Sequence, residues 1–124
     1  MSRVDAERLL TDLKHGLLIT QQTFEGLDVD DYLDERDDSG FAEAWMQAFH
    51  KFKHVRGEAE EEVLRSCREK AYKQTMAHTS EPELAGYVSD DFGLIAAYLL
   101  QDKVQDSFVE QLFESYKQGN LPSS

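Results

Sequence analysis

Apolar side chains recur every three or four residues along almost the whole chain, and no segment alternates convincingly between apolar and polar positions. A repeat of this length places apolar side chains on one face of a helix, whereas strands repeat every two residues. The pattern therefore predicts an all-α protein. With 124 residues, a single domain is expected, and about five to six helices account for the pattern. We expect residues 1–124 to form one compact helical bundle.

Capping residues and breaks in the pattern divide the chain into elements. The first predicted elements are a helix from Ser2 to near Gly26, a loop or short helix over Asp30–Arg36, and helices over Phe41–His54 and Glu58–His78. The later ones are a short helix opening at Ser80, a new helix opening at Ser89-Asp90 and ending near Gln101, and a last helix opened by a capping box of Ser107 with Glu110. The segment FGLIAAYLL is apolar nearly all round, which predicts the central buried helix.

Charge is concentrated in one short segment. Residues 25–43 hold nine carboxylates and a single cation, Arg36, whereas the whole chain has a net charge of −12. About two thirds of the imbalance therefore comes from this acidic run. Repulsion from phosphates opposes direct binding to nucleic acid or to an anionic membrane, so we expect neither, and a basic protein partner is favoured.

The remaining composition fits a cytoplasmic protein. Cys67 is the only cysteine and has no partner for an internal disulfide, which favours a reducing compartment. The N-terminal segment places Asp5, Glu7 and Asp12 among its apolar residues and so lacks the apolar core of a signal peptide. No stretch approaches the roughly 20 apolar residues of a membrane span.

Two places in the sequence are candidates for a metal site. His50 and His54 lie four residues apart, which puts both imidazoles on one helix face, but Lys51 and Lys53 flank them and disfavour a dication. A calcium loop starting at Asp28 puts Leu33 where glycine is required. We therefore expect no metal and no cofactor.

The sequence contains few features that indicate a catalytic site. Cys67 lies inside a predicted helix, where the backbone amides are already bonded and cannot activate a thiolate. The aromatic stripe Phe41, Trp45, Phe49 and Phe52 is typical of a helix face in the core, with a cofactor pocket as the minority interpretation. A binding protein is favoured over an enzyme.

The acidic run is the predicted partner-binding surface. Tyr32 and Leu33 lie among its carboxylates, a pattern suited to an aromatic anchor ringed by charge. The predicted contact residues are Asp30, Asp31, Tyr32, Asp34, Glu35, Asp37 and Asp38. A secondary acidic patch is predicted from Asp90, Asp91, Asp102 and Asp106.

Small size, acidity and the lack of a cofactor motif together resemble the profile of bacterial immunity and antitoxin proteins, although no family motif is matched residue by residue. That resemblance implies an inhibitor that neutralises a toxin, such as a nuclease, by occupying its basic active-site surface. Three alternatives stay open: a nucleic-acid-mimicking regulatory adaptor, a small metal-dependent enzyme using His50, His54 and carboxylates, and an oligomerisation or scaffold module. The sequence leaves the partner's identity and the oligomeric state undetermined.

Overall fold

The computed structural model describes residues 2–54, 57–101 and 105–123. Across these residues the chain is all-helical, contains no strand and folds as one compact domain, as predicted. Its elements are α1 (Ser2–Lys14), a 3₁₀ turn (Gln21–Phe24), α2 (Val29–Arg36), α3 (Ser39–Phe52), α4 (Glu58–Thr79), α5 (Pro82–Leu99) and α6 (Ser107–Lys117). None of these helices is both long enough and apolar enough to cross a membrane.

Helix α5 is the centre of the domain. It packs against α1, α3, α4 and α6, and its side chains are buried on nearly every face. This confirms the central helix predicted from FGLIAAYLL. The predicted break at Ser89 is wrong, because α5 runs without interruption through this position. The Ser89 hydroxyl does not cap a new helix; it donates a hydrogen bond to the Arg68 carbonyl of α4 at 2.9 Å.

Helix α1 is shorter than predicted. It ends at Lys14, and Gly16 follows with a φ of +70°. Glycine adopts this left-handed conformation without the steric cost that a side chain imposes, so the helix stops here and not near Gly26. Leu13 and Leu17, which the helical spacing of apolar residues predicts on one stripe, consequently differ: Leu13 is fully buried, whereas Leu17, beyond the break, is 61% exposed.

The ends of other helices differ from the prediction in detail. The last helix is capped by the Asp106 carboxylate, which accepts a hydrogen bond from the Val109 amide at 3.1 Å, and not by Ser107. Helix α4 ends at Thr79, and Ser80 takes the left-handed conformation with a φ of +57°. The Ser80 amide closes the last turn by donating to the Met76 carbonyl.

The aromatic stripe of α3 belongs only partly to the core. Phe41 and Phe52 are buried, and Phe52 packs edge-on against Tyr98 with ring centroids 5.1 Å apart. Trp45 is half-buried, and Phe49 is 37% exposed. The prediction of a core face is therefore confirmed at the two ends of the stripe and wrong at Phe49, because no neighbouring helix covers its ring completely.

Candidate partner-binding surface

The acidic run folds as helix α2 with its flanking turns. The Asp28 carboxylate caps the helix by accepting a hydrogen bond from the Asp31 amide at 3.1 Å. Tyr32, Leu33 and Arg36 are the buried residues of α2. Their spacing of three and four residues puts them on one face, which docks the short helix onto the domain.

The opposite face of α2 is a surface of carboxylates. The exposed residues are Asp30, Asp31, Asp34 and Glu35 on α2, and Asp37 and Asp38 directly after it. We call these six residues the acidic surface. Six of the seven predicted contact residues therefore lie where a partner can reach them.

Tyr32 does not fit the predicted role of an exposed anchor. Its side chain is only 6% exposed, and its hydroxyl donates a hydrogen bond to the Pro122 carbonyl at 2.8 Å. The same oxygen accepts a hydrogen bond from Arg36 Nη1 at 3.2 Å. Burial raises the pKa of Tyr32 to about 12. Tyr32 therefore attaches α2 to the C-terminal segment, and recognition falls to the carboxylates around it.

Arg36 turns inward and pairs with Asp91, which is fully buried in α5. Arg36 Nη1 donates to Asp91 Oδ2 at 3.0 Å and Nη2 donates to Oδ1 at 2.7 Å, so the ion pair is bidentate. Burial alone lowers the pKa of the Arg36 guanidinium, but the Asp91 charge and hydrogen bonds outweigh it and hold the pKa above its usual range. The single cation of the acidic run thus fixes α2 to the central helix.

Two aromatic side chains complete the coordination of Asp91. Trp45 Nε1 donates to Asp91 Oδ1 at 2.9 Å, and the Tyr116 hydroxyl donates to Oδ2 at 2.6 Å. Burial, together with the neighbouring Asp91 charge, raises the pKa of Tyr116 well above its usual value. A buried carboxylate needs such donors to offset the loss of hydration. This network links α2, α3, α5 and α6 through one side chain.

The sequence pattern does not predict this network, and it predicts Asp91 as part of a secondary acidic patch. That assignment is wrong for Asp91, which is 0% exposed. The available signal was an aspartate directly before the apolar segment FGLIAAYLL, together with a single arginine in the acidic run. Arg36 and Asp91 are 55 positions apart, so the sequence does not indicate that they pair.

The rest of the secondary patch is largely neutralised. Asp90 pairs with Arg68 at 3.0 Å, and Asp106 pairs with Lys51 at 2.8 Å. Burial raises the pKa of Asp106, but hydrogen bonds from Lys51 and the Val109 amide outweigh it and hold the pKa below its usual range. Asp102 lies outside the described residues.

Two exposed carboxylates, Asp37 and Asp38, follow the C-terminal end of α2. Asp38 occupies the first capping position of α3, where its carbonyl accepts from the Ala42 amide at 2.9 Å, but its carboxylate makes no capping hydrogen bond. The Asp37 carboxylate accepts a hydrogen bond from the Tyr87 hydroxyl, which raises the pKa of Tyr87 to about 12. The carboxylates of Asp37 and Asp38 therefore extend the acidic surface towards α3 and α5.

The described residues offer little to metal or thiol chemistry. Among residues 2–54, 57–101 and 105–123, no three His, Cys, Asp or Glu side chains converge in a way that could hold a metal ion. His50 is exposed, with its ring edge-on to Phe49. Cys67 is fully buried, and burial raises the pKa of its thiol to about 12, which opposes formation of the reactive thiolate.

Comparison with known proteins identifies the family. Residues 8–123 match the family model described as Immunity protein PIM1. No curated protein matches the chain. The family match spans α2 through α6, and with them the acidic surface and the buried network beneath it. Because this match covers nearly the whole of the sequence, the chain belongs to the Immunity protein PIM1 family.

Proposed function

We propose that this immunity protein neutralises a toxin in the cytoplasm as a non-enzymatic inhibitor, by covering a basic surface of the toxin with the acidic surface of α2. Family membership supports a toxin as the partner. The observation that carries the electrostatic part is the exposure of six carboxylates, four on the short, firmly docked helix α2 and two directly after it.

The charge of the surface indicates the class of toxin. An enzyme that cleaves a polyanion needs a cationic cleft to hold its substrate, and clustered carboxylates can fill that cleft in the substrate's place. A nuclease is therefore the proposed target. Opposite charges also accelerate association at low salt, which suits an inhibitor that must capture its toxin before the toxin reaches nucleic acid.

The buried network supports this role by fixing the geometry of α2. Eight residues are too few for a stable isolated helix in water. The bidentate Arg36–Asp91 pair and the Tyr32 hydrogen bond hold the helix in place before a partner arrives. A preorganised surface loses less conformational entropy on binding than a mobile loop does.

The first experiment identifies the target. The tagged protein is used to recover its partner from the native host, and mass spectrometry identifies the captured protein. The purified partner is then assayed for DNA and RNA cleavage with and without the immunity protein. Stoichiometric loss of cleavage supports the proposal. Capture of a host nucleic-acid-binding regulator without toxic activity would instead support the adaptor alternative, and a toxin that stays active in the complex would refute active-site occlusion.

The second experiment tests the acidic surface with a matched pair of variants. Asp30→Lys/Asp34→Lys reverses two charges on α2, and Asp5→Lys/Glu7→Lys makes the same change on α1. Asp30 and Asp5 both lie in the first turn of their helices, so the cost to the helix is similar. We expect only the α2 variant to slow association with the toxin at low salt, by about 10-fold or more, and to flatten its salt dependence. Equal effects of the two variants would refute the role of the acidic surface.

A further inference from the structure

A groove lies between α3, α4 and α5, next to the acidic surface but separate from it. It encloses about 450 Å³ and is lined mainly by apolar side chains. Those that form its walls include Trp45, Met46, Phe49, Leu64, Leu94 and Ala97. A volume of this order falls in the range of about 300–1,000 Å³ found for binding pockets in proteins. The groove therefore has room for a large side chain of a partner.

The apolar side chains at its edge are unusually exposed. Met46 is 45% exposed and Phe49 is 37% exposed, on consecutive turns of α3. Trp45 stacks on Phe49 with ring centroids 5.7 Å apart and planes inclined by 15°. Methionine and aromatic residues that are grouped in this way are enriched in the cores of protein interfaces.

Trp45 also connects the groove to the buried network. Its indole nitrogen donates to Asp91 Oδ1 at 2.9 Å, so the ring is held by the same carboxylate that holds Arg36. An aromatic wall fixed in this way loses little conformational entropy when a partner binds. Asp91 therefore orients α2 through Arg36 and one wall of the groove through Trp45.

The groove opens towards the acidic surface. A smaller cavity of about 200 Å³ is lined by Asp37, Trp45, Met46, Tyr87 and Asp90, among others. It shares Trp45, Met46 and Asp90 with the groove, and Asp37 belongs to the acidic surface. Carboxylate and apolar surfaces thus meet across the ends of α2 and α3: Asp37 lies at the end nearest α2, whereas the charge of Asp90 is paired with that of Arg68.

We propose that this groove receives an apolar or aromatic side chain of the toxin, carried on a segment whose basic residues contact the acidic surface. The assignment rests on the proposed function, and charge complementarity fixes the orientation: cations of the segment face Asp37 and the inserted side chain lies against Trp45, Met46 and Phe49. The two parts of the interface have different kinetic roles. Charge sets the association rate, and burial of the apolar side chain sets the lifetime of the complex.

The test compares two double variants by surface plasmon resonance against the toxin recovered from the native host. Met46→Ala/Phe49→Ala removes apolar side chains from the groove, and Val4→Ala/Leu17→Ala removes exposed apolar side chains elsewhere, which are 55% and 61% exposed. We expect the groove variant to dissociate at least about 10-fold faster while its association rate stays within about twofold. The control variant should match the unmodified protein in both rates. Thermal unfolding of both variants verifies that each is folded.

The outcomes separate this inference from the proposed function. If Asp30→Lys/Asp34→Lys slows association but the groove variant dissociates at the normal rate, the groove proposal is refuted and the role of the acidic surface in binding is supported. If no toxin binds the unmodified protein, both the groove proposal and the proposed function are refuted. A concentration-dependent dimer in analytical ultracentrifugation that the groove variant abolishes would show that a second copy of the chain occupies the groove, and would overturn the proposal.

Discussion

Arg36 of α2 and Asp91 of α5 form a buried, bidentate ion pair across 55 positions of sequence, with N–O distances of 3.0 and 2.7 Å. The side chains are 7% and 0% exposed. Burying two charges costs hydration energy, which their mutual attraction and further hydrogen bonds must offset. Here Trp45, Tyr116 and Tyr32 supply those bonds. The most acidic segment of the chain is thus attached to the domain by its only cation.

Removing one partner of this pair should be costly. Arg36→Met leaves the Asp91 carboxylate buried without its counterion, and we expect a loss of about 3–5 kcal/mol in the free energy of unfolding. Lys73→Met is the control, because its pair with Glu69 is 68% and 63% exposed and such pairs contribute about 0–1 kcal/mol. Urea unfolding measures both. Equal losses in the two variants would show that the buried pair has no special role.

Replacing both partners tests where that cost comes from. Arg36→Met/Asp91→Leu removes the unpaired charge along with the pair, so we expect it to recover part of the stability that Arg36→Met loses. A double-mutant cycle in urea quantifies the coupling. A double variant that is as unstable as the sum of the two single variants would indicate that the residues act independently.

Asp106 combines a helix cap with an ion pair, and two substitutions separate these roles. Asp106→Ala removes both and should cost about 1–2 kcal/mol in unfolding free energy. Asp106→Asn keeps a side-chain oxygen for the Val109 amide but loses the charge that attracts Lys51, so we expect it to cost about 0–1 kcal/mol. Urea unfolding at neutral pH distinguishes the two. Identical losses would assign the whole contribution to the charge.

The lowered pKa of Asp106 predicts that the free energy of unfolding depends on pH. The pKa of Asp106 is lower in the folded chain than in the unfolded one, so its charge stabilises the fold fully above the unfolded pKa of about 4. This contribution is lost as the pH falls through the folded pKa. We therefore expect the stability difference between the unmodified protein and Asp106→Asn to be constant near neutral pH and to shrink below about pH 4. A difference that grows with acidity would contradict this sign.

The end of α1 gives a test of packing. Leu13 is fully buried and Leu17 is 61% exposed, although both lie on the apolar stripe of the sequence. Leu13→Ala should cost about 2–5 kcal/mol, because it leaves a cavity among its neighbours. Leu17→Ala should change the unfolding free energy by no more than about 0.5 kcal/mol. A large loss for Leu17→Ala would mean that the helix continues past Gly16 after all.

Substitutions at Ser80 and Gly119 test the cost of a side chain in the left-handed backbone conformation that both residues adopt. Ser80 has a φ of +57° and Gly119 a φ of +83°. A side chain costs about 1–2 kcal/mol in this conformation, and glycine does not incur that cost. We expect Ser80→Gly to stabilise the protein by about 0.5–1 kcal/mol after the greater freedom of glycine in the unfolded chain is deducted. Gly119→Ala should destabilise it, and its Cβ would also lie 3.1 Å from the Gln22 side chain.

Sequence reasoning alone predicted the all-α fold class and the central helix, and it predicted either a loop or a short helix over Asp30–Arg36. The fold class and the central helix follow from local properties: the spacing of apolar residues and the all-round apolar character of FGLIAAYLL. Such signals lie within a few residues of the element they predict. Helix α1 is shorter than the apolar spacing predicts, because this spacing continues past Gly16, where the backbone conformation ends the helix.

Which polar residues face inward depends on the packing of distant helices. Tyr32, Arg36 and Asp91 look like surface residues in sequence, and the partners that make their burial favourable come from four helices and from Pro122. Likewise, the stripe of α3 predicted a core face, but whether Phe49 is covered depends on how α4 and α5 pack beside it. Periodicity gives the direction of a side chain around its own helix, whereas burial depends on which distant element meets it there.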